Sequence, residues 1–159
     1  MVYKIKATIA GQKMFFREYL VPENTTLYSF HLYLQDDLGF APDQIVTFKG
    51  LSKLDQIVSE YGLFDSGYGS MDKITLLDLT KKGETKFHYL YNIYTKMYLI
   101  MEILGSEEQT RGSYPRLIAE KGKSPDQFAD KYEDFDTISE LTEPDELFEA
   151  DNEFVQDNE

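Results

Sequence analysis

Between residues 86 and 104 the chain reads KFHYLYNIYTKMYLIMEIL, two runs rich in apolar side chains separated by a short polar break. Phe87, Tyr89, Tyr91 and Ile93 alternate with His88, Leu90 and Asn92, and Met97, Leu99 and Met101 alternate with Tyr98, Ile100 and Glu102. A period of two marks β-strands, so this stretch predicts a central hairpin. Both of its faces are largely apolar, which predicts a sheet covered on each side by helices or further strands.

The same period runs through residues 2–10, where Tyr3, Ile5, Ala7 and Ile9 alternate with Lys4, Lys6 and Thr8. A turn at Ala10-Gly11-Gln12 then leads into a second strand over 14–21, ended by Pro22. After Thr25 and Thr26, either of which suits an N-cap, the period becomes helical. Leu27, Phe30, His31, Leu34 and Leu38 share one face, and Gly39 supplies the stop. A third strand is expected over 44–49, and Leu54, Ile57, Val58 and Tyr61 have the spacing of a short helix.

Asp65-Ser66-Gly67-Tyr68-Gly69-Ser70 reads as a plain loop, since it lacks the Lys-Ser/Thr ending of a phosphate loop and the three-glycine dinucleotide spacing. Thr75 caps a helical turn over Leu76, Leu77 and Leu79 that stops near Lys82-Gly83. Beyond the central hairpin, residues 114–118 form an extended piece expected beside it, and Ser124-Pro125-Asp126 predicts a helix over 125–132. The elements together predict an α+β class: a single-domain α/β roll over residues 1–132, with a mainly antiparallel sheet and one principal helix packed on it.

Charge changes this picture at one end. The formal net charge is −13, yet residues 133–159 hold 12 acids and no Lys or Arg, leaving 17 acids against 16 bases in the rest. The body is nearly neutral and the acidity belongs to a C-terminal tail. Tyr132, Phe135, Ile138 and Leu141 recur among those acids, a stripe that a purely solvating tail does not need. The tail is expected to dock on the domain, with a partner-binding arm as the alternative. The absence of cysteine excludes disulfides, thiolate metal sites and thiol nucleophiles. No apolar run approaches the roughly 18 residues of a membrane span, so no membrane association and a cytoplasmic location are the expectation.

The candidate chemistry is sparse. Arg17 lies in the middle of the second strand, either solvated on the outer face or part of a site. His31 lies on the apolar helical stripe, as a satisfied core histidine or as a ligand. Acid pairs such as Asp36-Asp37 and Glu107-Glu108 sit side by side in sequence, where side chains point apart on a helix or crowd a polar loop, so no catalytic pair is read from them. Lys4, Lys6 and Lys13 give the first hairpin a basic character.

Val21-Pro22, Thr26-Leu27, Phe30-His31, Gln35 and Gly39-Phe40 follow one another at a spacing that resembles the Ri-plasmid ORF-three-like family, also labelled insertion-element passenger proteins. Phe30 stands for the family's Leu and Phe40 for its Trp. Phe87, Tyr89 and Tyr91 resemble the family's aromatic strand, and Tyr114-Pro115-Arg116 its Tyr-Pro-Arg signature, so the resemblance covers residues 3–130 and leaves the acidic tail outside. Tyr91-Asn92-Ile93-Tyr94-Thr95 stands where the family usually has Tyr-Asp-Phe-Gly-Asp, so both carboxylates are missing. Gln44 replaces a frequent histidine, Phe16 and Glu18 replace the Trp and one Arg of a Trp-Arg-Arg run, and Leu117 and Ser124 replace cysteines.

The resemblance implies an α+β roll and carries no settled activity. Its passenger label points to mobile DNA as gene context, not as chemistry. Arg17, His31, Tyr91, Tyr114 and Arg116 survive, with Asn92 as a neutral remnant, and these six are expected to converge on one binding cleft without forming a complete catalytic set. No metal or cofactor is expected. The reading is therefore a non-catalytic interaction or small-ligand binding module with an unknown protein or small ligand as partner. A nucleic-acid-associated protein linked to mobile elements and a divergent enzyme are the alternatives.

Overall fold

The alternation at the start of the chain becomes strand β1 (Val2–Ile9), whose Tyr3, Ile5, Ala7 and Ile9 are buried while Lys4, Lys6 and Thr8 are half-exposed. Gly11, at φ 76°, turns the chain into β2 (Gln12–Pro22). That left-handed conformation suits glycine, which has no Cβ to clash. Helix α1 (Leu27–Leu38) begins at Thr26, whose side chain accepts from the Ser29 amide, and ends at Gly39 in the left-handed conformation. Its buried residues are Leu27, Phe30, His31, Leu34 and Leu38, the stripe that the periodicity picks out. There follow β3 (Thr47–Leu51), β4 (Ile57–Tyr61), helix α2 (Leu76–Lys81), β5 (Lys86–Asn92), β6 (Met97–Glu107) and β7 (Arg116–Lys121). Thr75 and Asp78 close a reciprocal capping box on α2, satisfying two amides that the first turn leaves without helical partners.

This computed structural model describes residues 1–128, and the chain divides into the units Met1–Gln127 and Phe128–Glu159. The strands form one seven-stranded sheet in the order β4-β3-β5-β6-β1-β2-β7, with each pairing antiparallel. The fold class is α+β. Phe30 of α1 stacks on Phe48 of β3 and meets Tyr19 of β2 edge-on, and Tyr3 of β1 reaches Thr80 of α2 at 2.9 Å. The two helix starts are tied by main-chain bonds from Leu27 to Ile74 and from Leu76 to Thr25. Both helices thus meet the sheet face that carries Tyr3, Tyr19, Phe48 and Tyr89.

Four expectations need correction. The short helix expected over 54–61 does not form: Leu54 lies in a turn and Ile57–Tyr61 form the edge strand β4, in which only Ser59 and Tyr61, two residues apart, are buried while Ile57 and Val58 are exposed. The extended segment after Tyr114 becomes β7 but pairs with β2, at the sheet edge away from β5. Among the described residues both helices contact one sheet face, and on the other face His88, Tyr98 and Ile100 are half-buried and Glu102 exposed. The helix expected from 125 does not form through Phe128, where the chain is irregular and then turns. Its remainder, and the docking of the acidic tail, lie outside the described residues.

Candidate functional site

In an antiparallel pair, residues directly opposite each other share a face and neighbours in sequence alternate. Arg17 pairs with Glu120 and Leu20 with Arg116, so the two arginines stand on opposite faces of the sheet. Arg17 is buried, which corrects its placement on a solvated outer face. Its guanidinium donates to the carbonyls of Phe16 and Lys121 at 2.9 Å, lies 4.7 Å from the Phe15 ring centre and comes within 3.8 Å of Glu120. Its bonds stitch β2 to β7. Arg116 instead covers the Tyr114 ring at 4.5 Å and donates to its hydroxyl, which also meets Thr110. The bonds from Thr110 lower the pKa of that exposed phenol.

His31 is sealed between α1 and the sheet, where Nδ1 shares a 2.8 Å hydrogen bond with the Tyr89 hydroxyl. Burial lowers its pKa and raises that of Tyr89, so the imidazole is held neutral. Tyr91 is fully buried and stacks on Phe40 at 4.6 Å. Asn92 accepts from the amides of Tyr94 and Thr95 and donates to the Gln127 carbonyl at 2.8 Å. A carboxylate could accept the two turn amides but could not donate to Gln127, so the neutral side chain has its own structural use. The six residues therefore form no single cleft: Tyr91 and Asn92 are neighbours, Tyr114 and Arg116 are neighbours, and Arg17 and His31 have separate surroundings.

A polar cluster that the sequence does not announce lies between β3, β4 and the end of α2. Glu84 is buried and accepts from Ser59 at 2.7 Å and Tyr61 at 2.8 Å, with the Lys82 ammonium 3.5 Å away and also bonded to the Tyr61 hydroxyl. Gly50 makes the room, since a Cβ there would lie 2.0 Å from a Glu84 oxygen. Each buried polar atom named here has a partner, the arrangement expected of a structural network. Among the described residues no group of three His, Cys, Asp or Glu side chains is placed to hold a metal ion.

A groove of about 460 Å³ opens on the other face of the same end of the sheet. Thr47 and Leu90, paired across β3 and β5, share this face, as do Lys49 and its partner Glu60. Ile45, Leu63 and Phe64 border the groove, with Ile93 and Lys96 contributed by the β5 to β6 turn. Phe64 is 86% exposed, and Ile45 and Leu63 are about half exposed. Lys96 is held at φ 59°, and among the described residues no carboxylate lies within ion-pair distance of it. None of these residues belongs to the expected site. The available signal was Leu63-Phe64, an apolar pair beside Gly62 and the Asp65-Ser66-Gly67 loop in a stretch without clear periodicity.

A solved structure of a protein of unknown function, MM3350 from Methanosarcina mazei Go1, is similar in fold with a TM-score of 0.76 and 18% identity, over 92% of this chain and 83% of that one. No curated protein matches the chain. Among the described residues no helix is long and apolar enough to cross a membrane. The family described as plasmid pRiA4b ORF-3-like protein matches residues 1–156, further than the motifs at 3–130 reach and into the acidic tail. The chain belongs to the plasmid pRiA4b ORF-3-like family.

Proposed function

We propose that this protein is a non-catalytic binding module whose binding surface is the groove beside β3, β4 and β5. The observation that carries the reading is Phe64, an aromatic side chain 86% exposed at the rim of an apolar groove. Single exposed apolar residues are ordinary, whereas several around one concavity mark a site of contact. The volume lies within the range of small-ligand pockets. Supporting the non-catalytic part, His31, Arg17 and Glu84 are engaged in interior hydrogen bonds. The architecture is read as a roll in which α1 is the principal helix; among the described residues both helices lie on the other sheet face, which leaves the groove face open to a ligand.

Lys6, which supports the nucleic-acid alternative, stands between Glu18 of β2 and Glu102 of β6 in the register, and that pattern favours the small ligand. The neutral dye Nile red tests the reading. Its fluorescence should rise on adding the protein and fall by more than half in the variant combining Ile45→Ser and Phe64→Ser. An unchanged signal from that variant, with its circular dichroism intact, would overturn the groove as the binding surface.

A further inference from the structure

We infer that the groove selects an amphipathic monoanion, a small molecule with an apolar body and one terminal carboxylate, which rests on the reading of the groove as the binding surface. The argument begins with its asymmetry of charge. Two ammonium groups and one carboxylate line it, from Lys49, Lys96 and Glu60. Lys49 and Glu60 stand opposite each other across β3 and β4, so their opposite formal charges sum to zero on that part of the groove. Lys96 has no acid opposite it in the strand register and sits in the turn beyond β5, whereas Leu63 and Phe64 follow β4, two strands away in the sheet.

The apolar side chains set the other half of the specificity. Leu90, largely buried on β5, lines the groove, and the more exposed Ile45 and Phe64 add apolar surface that removes hydrocarbon from water. A ligand with its chain along Leu90 and its head at Lys96 satisfies both halves, and its charge supplies the counterion that the ammonium lacks. A cationic head would face Lys96 without a compensating acid. A neutral head would leave the ammonium to water. Lys96 occupies a left-handed turn position, from which its flexible stem carries the ammonium to the groove.

Isothermal titration of the full-length chain with decanoate, decanol and decylamine tests the assignment. Decanoate should bind about tenfold more tightly than decanol, with decylamine weakest. Lys96→Asn, chosen because asparagine accepts positive φ, should bring decanoate down to the affinity of decanol and leave decanol unchanged. The variant with both Ile45→Ser and Phe64→Ser should weaken decanoate and decanol alike. Equal binding of decanoate and decanol, unaffected by Lys96→Asn, would overturn the charge selection while leaving the groove as a binding surface. Failure of all three probes to bind, together with Nile red insensitive to the double variant, would overturn both readings.

Discussion

At the scale of single residues, Gly50 is tightly confined. Its neighbours are the Glu84 carboxylate and the Ser59 hydroxyl, which a Cβ would approach to 2.0 and 2.4 Å. Gly50→Ala should therefore cost about 1 to 3 kcal/mol by overpacking a rigid polar cluster. Adding Glu84→Ala should cost less than the sum of the two single changes, measured by urea denaturation, because the two residues compete for one space. His31 gives a second residue-level expectation. Its pKa is lowered from 6.5 by burial, so between that folded value and 6.5 the unfolded chain binds more protons than the folded one. The contribution is present in full above 6.5 and is lost as pH falls through this window. His31→Gln retains a hydrogen-bonding group towards Tyr89 and should flatten the fall of stability as pH drops below 6.5. Part of the slope should remain, because His88 is also lowered by burial, with Lys49 adding to the effect. Equal slopes in equilibrium unfolding would remove His31 as the titrating group.

At the scale of elements, α1 bears on the sheet through a fully buried Leu34. Leu34→Ala should lower stability by about 2 to 5 kcal/mol through lost burial and the cavity left behind. An unchanged denaturation midpoint would remove that helix from the core. This helix was legible because Thr26, Gly39 and the apolar stripe agree on its start, end and buried face. The central hairpin was legible because alternation over two long strands admits no helical reading. Residues 54–61 were not, since apolar residues three and four apart satisfy a helical template while the residues that are buried, Ser59 and Tyr61, include a small polar one. Ser59 is inside because Glu84 is there to accept its hydroxyl. Similarly, Arg17 gave no sign of being buried, because the Lys121 carbonyl that it binds lies 104 residues along the chain. The expected site failed for the same physical reason: shared family motifs identify positions, whereas strand register decides on which face their side chains stand.

At the scale of the molecule, residues far apart in sequence are joined at Gln127. This buried side chain accepts from the Ala41 amide at 2.7 Å, between α1 and β3, and donates to the Tyr91 carbonyl on β5 at 3.0 Å. Its own carbonyl receives the Asn92 side chain, so three stretches of chain meet at one residue. Gln127→Ala would remove both side-chain bonds and leave the half-buried Ala41 amide and the Tyr91 carbonyl without them. A cost of about 2 to 5 kcal/mol is expected from the two losses together. Gln127→Glu separates the two bonds. An ionised carboxylate still accepts from Ala41 but repels the Tyr91 carbonyl, and a protonated one can donate to it. The gap in stability between Gln127→Glu and the parent protein should therefore narrow as pH is lowered through the carboxyl titration, whereas the gap for Gln127→Ala should not follow that titration. Chemical denaturation across the acid range, with hydrogen exchange at the Ala41 amide, reads both effects. A Glu variant whose deficit does not respond to pH, with unchanged protection at Ala41, would show that Gln127 fills space there without joining the segments through its hydrogen bonds.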